Sequence, residues 1–383
     1  MYTWFLSRRL KLIPQTYRKS TLQEGLLLNM TGRPDTFVEG FHNADHVRLM
    51  PYRALGETGM AVSALSFGAS SLGSVFRATD NTESMDVVKT CLQEGINYID
   101  TAPWYGQGKS ETVLGKVLPT VPRSSFYIST KVGRYELDPL KMFDFSAERT
   151  LKSVDESLQR LGLDYVDVIQ IHDMEFAPSL DIILNETLPA LQKVKDAGKA
   201  RFIGITGYPL DNFKEVLDRS TVQIDTVLTY CRASMNDFAL KDWLPYFKTK
   251  RVGVVNASPI SMGLLSTRGP PEWHPATQHI KDACAQAAAH CQERGVDISR
   301  LGLRFTLEEE EIPTTLVSTA SRANLLKNLQ SVYTPLDDNE KLVLKEVMAK
   351  YMEPLKNAHW EGVEVADYWQ KIKSLQETSP PAS

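Results

Sequence analysis

The sequence predicts an α/β chain folded as a single (β/α)8 TIM barrel with a short N-terminal hairpin. Three observations carry that expectation. Eight short apolar segments alternate with segments of helical period, the rhythm of a parallel sheet with right-handed crossovers. No G-x-G-x-x-G follows the first of them, where the text reads Gly68-Ala69-Ser70-Ser71-Leu72-Gly73, so an open dinucleotide-binding sheet lacks its fingerprint. No domain-sized change of composition divides the 383 residues, a length that one barrel accommodates.

The elements follow in order. Between Pro51 and Gly73 a hairpin turns at Gly56-Glu57-Thr58-Gly59, and the first barrel strand is expected at 64–67. Residues 82–94 place Val87, Val88, Cys91 and Leu92 on one helical face and stop at Gly95, a residue suited to ending a helix. Strand 97–100, helix 110–118 and strand 126–131 come next. Leu151, Val154, Leu158 and Leu161 recur at helical spacing ahead of a Val- and Ile-rich strand at 165–171. Helix 186–197 closes at Gly198, and strand 200–206, helix 211–219 and strand 224–228 follow. A helical stretch at 243–250, strand 252–256, helices over 280–294 and 299–307, strand 315–318 and helix 322–331 complete the series. The barrel is assigned to 50–350, with 1–49 a flexible leader or targeting segment and 351–383 a C-terminal tail.

Composition narrows the function. A net charge of -4 offers no basic field to a nucleic acid. The four cysteines, Cys91, Cys231, Cys284 and Cys291, form no C-x-x-C and have no His at zinc spacing, so no metal is expected. Free thiols in a reducing compartment are the expected state, which points to the cytoplasm. No apolar run reaches membrane-spanning length. From Met1 to Gln23 there is no acidic residue, while Arg8, Arg9, Lys11, Arg18 and Lys19 are basic. That composition suits a mitochondrial presequence, the alternative location, but the segment lacks an amphipathic stripe and reads as a leader.

Barrel enzymes carry their chemistry at the C-terminal ends of the strands. Those ends bring Asp100, Lys131 and His172 from the second, third and fourth barrel strands, with Tyr105 in the loop that opens at Asp100. A Lys ammonium beside a Tyr hydroxyl favours the phenolate and is expected to lower the Tyr pKa. Asp100 would anchor that ammonium, and His172 would hold a substrate oxygen near the hydroxyl. The four together make a general acid/base for a carbonyl receiving hydride, or for an alcohol losing it. Each also has a plainer reading: a loop-capping Asp, a wall Tyr, a satisfied His, or a Schiff-base Lys of the aldolase kind.

The stretch Asn97-Tyr98-Ile99-Asp100-Thr101-Ala102-Pro103-Trp104-Tyr105-Gly106-Gln107-Gly108-Lys109-Ser110-Glu111 resembles the signature of the aldo-keto reductase family. Ile128-Ser129-Thr130-Lys131-Val132-Gly133 and Gln170-Ile171-His172-Asp173 extend the likeness, which runs from about Pro51 to Gln330. The resemblance implies a catalytic tetrad of Asp100, Tyr105, Lys131 and His172, with Tyr105 the proton donor. It also implies a nicotinamide cofactor held by Gly68, Ala69, Asp100, Thr206, Gly207, Ser258, Ile260, Met262, Leu264, Ser318, Arg322, Asn324 and Asn328. The family's usual Asn is Gly207 here, and its frequent stacking aromatic is Ala257. Family members that prefer NADP carry Lys and Arg where this chain has Ser318 and Asn324, which implies NAD, with NADP possible through Arg322 and Lys327.

Within the family the sugar-oxidising members are the nearest in character. The cues are Ile205-Thr206-Gly207-Tyr208-Pro209-Leu210, Thr229-Tyr230-Cys231 and the run from Ala257 through Leu265 to Gly269-Pro270-Pro271-Glu272-Trp273-His274-Pro275. The implied reaction oxidises an aldose such as L-galactose at its anomeric carbon to the lactone. Trp104 and His172 are the implied substrate contacts, with Trp273 a further candidate wall. A monomer acting on a small carbonyl or sugar is expected, without nucleic-acid or membrane partners. Two alternatives stand beside it: a general aldehyde or ketone reductase, and a cofactor-binding auxiliary subunit of a potassium channel with little turnover. The loops 134–145 and 175–184 are where substrate choice would lie.

Overall fold

In the computed structural model, which describes residues 33–75 and 77–378, eight parallel strands close into a barrel. A hairpin of β1 (Tyr52–Ala54) and β2 (Ala61–Ser63) precedes it. The barrel strands are β3 (Leu65–Gly68), β4 (Tyr98–Asp100), β5 (Tyr127–Val132), β6 (Val166–Ile171), β7 (Ala200–Gly207), β8 (Thr226–Tyr230), β9 (Gly253–Ala257) and β10 (Thr314–Ser318). Each lies within two residues of its expected span. Neighbours follow chain order, and β10 pairs with both β9 and β3 to complete the circle.

Register does the positioning. Gly68 lies opposite both Asp100 and Ser318, Asp100 opposite Ser129, and Lys131 opposite Gln170. Polar side chains at successive strand ends are thereby set at one height on one rim.

The opposite rim is sealed. Leu55 and Met60 of the hairpin join Val62, Tyr98, Val168, Leu228, Val255 and Leu316 in an apolar cluster inside the barrel. The hairpin backbone rests directly on β9, because a Cβ at Gly56 would lie 2.3 Å from Gly253 N. Outside the barrel, buried residues such as Val87, Leu92, Val154, Leu191, Phe213 and Phe247 belong to the main core between strands and surrounding helices. All four cysteines are buried free thiols. Among the described residues no helix is long and apolar enough to cross a membrane, and no cluster of His, Cys, Asp and Glu is arranged to hold a metal.

Both flanks of the barrel differ from expectation. The basic segment 1–23 lies outside the described residues, but the chain from 33 onward is laid against the barrel rather than hanging free. Asn97 donates through Nδ2 to Thr36 Oγ1 at 2.9 Å and to the Ala61 carbonyl at 2.7 Å. The helix Ala44–Leu49 is capped by Asn43 and buries Val47. Six residues are too few to display a helical period, so composition alone suggested a leader.

The C-terminal segment also packs on the barrel. Trp360 is 2 % exposed and stacks on Tyr208 with ring centroids 4.9 Å apart. From there the helix Val363–Thr378 crosses the loops after β5 and β6, setting Tyr368 edge-on against Phe143 and Phe176. The Tyr368 hydroxyl donates to the Pro139 carbonyl at 3.2 Å. The terminal helix thus roofs part of the rim where the strand ends converge.

Candidate active site

The four side chains singled out in the sequence meet at that rim. Lys131 Nζ forms an ion pair with Asp100 Oδ1, donates to the Thr101 carbonyl at 2.8 Å and lies 3.3 Å from the Tyr105 hydroxyl. Asp100 Oδ2 accepts from Ser129 Oγ at 2.7 Å and Gln170 Nε2 at 2.8 Å, the partners that strand register supplies. The His172 ring stands edge-on to Tyr105, centroids 5.8 Å apart. Every donor of the ammonium is therefore directed, and the Tyr105 oxygen lies beside that cation.

Electrostatics at the rim are governed by burial. Lys131 is 1 % exposed; burial opposes its charge, but Asp100 and Tyr105 outweigh it and raise its pKa. Tyr105 differs from expectation. Burial raises its pKa from the ordinary phenol value, and the pull of Lys131 toward the phenolate does not overcome this. The resting side chain is a neutral phenol, ready to donate. Burial also drives the His172 pKa down to about 3 against the pull of Asp173, with Lys131 and Arg134 adding to the fall. His172 is a neutral imidazole across the physiological range.

Two backbone features fix Tyr105. The turn Ser70–Gly73 after β3 presses on the 105–106 peptide so closely that a Cβ on Gly73 would lie 2.3 Å from the Tyr105 carbonyl oxygen. Ser110 Oγ, on the helix Lys109–Val117, donates to the Ala69 carbonyl at 2.8 Å and ties the two loops together. Gly73→Ala is expected to displace the Tyr105 loop and lower kcat by about tenfold or more, since small misplacements of a reacting group are costly. Turnover and the unfolding midpoint measured side by side check it; an unchanged kcat would remove this close approach from the explanation. Left-handed backbone occurs in loops on this face at Asp173 (φ 50°), Cys231 (60°), Ser258 (58°), Ser261 (47°) and Met262 (51°), a usual place for stored strain.

The positions expected to hold a cofactor lie at the ends of β3, β4, β7 and β10, in the loops after β3 and β9, or on the helix after β10. Gly68 and Ala69 adjoin Asp100, whose carbonyl accepts the Ala69 N–H at 2.8 Å. Thr206 Oγ1 accepts the Asp173 N–H at 3.0 Å, and Gly207 follows it. Ser258, Ile260 and Met262 are partly exposed in the loop after β9. Leu264 does not join them: its side chain is 1 % exposed, in a second core with Ile280 and Leu301. Ser318 Oγ accepts the Ser71 N–H at 2.8 Å, so β10 and the β3 loop share that site. Arg322, Asn324 and Asn328 lie on the helix Arg322–Tyr333, the first two exposed. Trp104 is covered by the Arg134 guanidinium, 4.2 Å above its ring, whereas Trp273 is 54 % exposed beside His274.

Three functional-site groups escaped sequence reading. Arg134 pairs with Asp173 at 2.6 Å and joins the loops after β5 and β6 across the mouth. Glu175 is a carboxyl beside Gly207 whose pKa burial, helped by Asp173, pushes up to about 8. Glu364, on the terminal helix, lines a cleft with Glu175, Tyr208, Tyr230 and Trp360. Asp173 ends one recognised motif and Arg134 directly follows another, which was the available signal; Glu364 had none.

The chain is similar to proteins already known. A sequence profile of the Aldo/keto reductase family matches residues 64–348. The chain is 50% identical to L-galactose dehydrogenase of Arabidopsis thaliana over 313 residues, 80% of this chain and 96% of that one. It is 33% identical to D-arabinose 1-dehydrogenase of Saccharomyces cerevisiae over 264 residues, 65% and 76% of the two chains. Among solved structures, a holo-form aldo-keto reductase from Bacillus halodurans superposes with a TM-score of 0.64 at 30% identity, covering 78% of this chain and 96% of that chain.

Proposed function

Because the chain belongs to the aldo/keto reductase family, and is thereby an oxidoreductase, we propose that it oxidises an aldose of the L-galactose kind at C1 to the lactone, with NAD as hydride acceptor. The observation that carries this is the single contact set of Lys131 Nζ, which touches both Asp100 and the Tyr105 hydroxyl while His172 faces the same ring. Identity of 50% with L-galactose dehydrogenase over 313 residues, nearly all of that protein, supports the choice of sugar.

The residues at the mouth fit a nicotinamide dinucleotide. His172 Nδ1 and Glu175 Oε2 are buried polar atoms with no partner among the described residues, and such atoms in a native structure call for a ligand or water. The volume beside Gly207 is walled by the Glu175 carboxyl, with the Met174 methyl next to it. When bound, the dinucleotide supplies the acceptor for the hydride leaving C1. The rest falls to the protein. His172, neutral, hydrogen-bonds the anomeric oxygen; Tyr105 takes its proton in oxidation and returns it in reduction; Lys131 stabilises the phenolate that oxidation requires. Asp100 keeps Lys131 charged and in place.

The preference for NAD rests on the start of the helix Arg322–Tyr333. Its first N–H donates to Glu83 Oε1 at 3.2 Å, and the Arg322 side chain lies 3.2 Å from Asp86. Two carboxylates already answer the helix terminus and its nearest cation, so a 2′-phosphate would meet like charge. Purified protein offered NAD and NADP in turn, against aldoses including L-galactose, tests the whole reading by absorbance of the reduced nicotinamide. Saturable NADH formation with L-galactose is expected. Silence with every sugar, together with NADPH-dependent reduction of simple aldehydes, would replace the sugar dehydrogenase by a general carbonyl reductase.

A further inference from the structure

We infer that the Glu175 carboxyl is a ligand-binding group of the mouth, its Oε2 hydrogen-bonding an amide or hydroxyl of the molecule held there. The inference rests on the mouth being a dinucleotide and sugar site, and adds a residue that the acid/base group does not include.

Position is the first support. A Cβ at Gly207 would lie 2.7 Å from Glu175 Oε2, so the carboxyl fills the volume into which a side chain at the end of β7 would grow. Thr206, the residue before, is bonded to Asp173, which follows His172 directly. Glu175 is thus part of the same short loop that carries the imidazole. The second support is fixation. Glu175 Oε1 accepts the Tyr208 N–H at 2.8 Å, and Tyr208 is itself held by its stack on Trp360. The carboxyl cannot rotate freely to serve its second oxygen elsewhere.

The third support is the state of that oxygen. Oε2 is buried and has no partner among the described residues. A buried polar atom left unpaired is destabilising, and an apolar residue of similar size would avoid that cost. Groups retained against stability gather at functional sites. Neighbouring acids sharpen the point, because Asp173 and burial together keep this carboxyl protonated near neutral pH. A protonated carboxyl both donates and accepts, the complement of an amide or a hydroxyl. The nicotinamide carboxamide and a sugar hydroxyl share that chemistry.

Four proteins separate the sources: the unsubstituted chain, Glu175→Gln, Glu175→Ala and Gly207→Ala. NADH affinity is measured by fluorescence titration without sugar, and the KM for L-galactose at saturating NAD. Glu175→Ala is expected to weaken one of the two about tenfold, the loss of one good hydrogen bond. Glu175→Gln should stay within about threefold, since its amide also donates and accepts. Gly207→Ala should weaken the same quantity as Glu175→Ala, because its methyl displaces Oε2. A raised NADH Kd assigns the carboxamide; a raised KM with NADH binding intact assigns the sugar. Both constants unchanged in Glu175→Ala would overturn the inference, as would a Gln variant as impaired as the Ala variant. A lowered unfolding midpoint with both constants intact would mark Glu175 as structural and overturn it too. Failure of the unsubstituted protein to bind NADH would instead sink the proposed function beneath it.

Discussion

Tyr105→Phe is expected to lower kcat for sugar oxidation by about 10²–10⁴-fold, the contribution of a positioned general acid/base, while NADH binding stays within about twofold. Phenylalanine keeps the ring that meets His172 edge-on and removes only the oxygen beside Lys131. Steady-state rates and a fluorescence titration on the same preparation decide it. A variant retaining a tenth of the turnover would remove Tyr105 from the reaction. The direction of its pKa adds a second readout. Burial raises the phenol pKa, so the deprotonated form that oxidation needs becomes more populated as pH rises. Oxidation should therefore accelerate toward alkaline pH, and reduction, which uses the phenol, should not. Tyr105→Phe should flatten the oxidative profile. His172, with its pKa near 3, contributes no limb between pH 5 and 8.

Lys131→Met should cost both stability and turnover. The substitution leaves the Asp100 carboxylate at 2 % exposure with only Ser129 and Gln170 as side-chain donors. Removing one partner of a buried ion pair costs about 3–5 kcal/mol, because the other charge stays buried and uncompensated. Denaturant midpoints should show this loss, and kcat should fall about 10²-fold or more once the cation stabilising the phenolate is gone. Asp100→Asn in the Lys131→Met background separates the two effects, restoring much of the stability and none of the turnover. A Lys131→Met protein that melts and reacts like its parent would show that the ion pair is dispensable to both.

The barrel was legible because its signals are local. Helical and strand periods are written within ten or so residues, and eight repeats of one rhythm leave few architectures. The convergence of Asp100, Lys131 and His172 followed from their places at strand ends, since the fold itself sets those ends on one rim. What escaped was non-local. Arg134 meets Asp173 across 39 residues, and Trp360 meets Tyr208 across 152; no period records such pairs. The direction of the Tyr105 shift escaped for the same reason. A neighbouring Lys is visible in a motif, but the burial that outweighs it depends on loops from several strands. Burial stayed equally hidden at Leu264, whose side chain lies in the second core.

The hairpin that seals the far rim has a kinetic consequence. With Leu55 and Met60 filling that end, the described residues leave the barrel one doorway, and reactants and products share it. Whatever lies deeper can arrive only before its companion and depart only after it. Exchange should therefore follow a compulsory order, with the two products leaving in sequence. Product-inhibition patterns should be competitive only between the reactant that enters first and the product that leaves last, and the slowest departure through that doorway sets a ceiling on turnover.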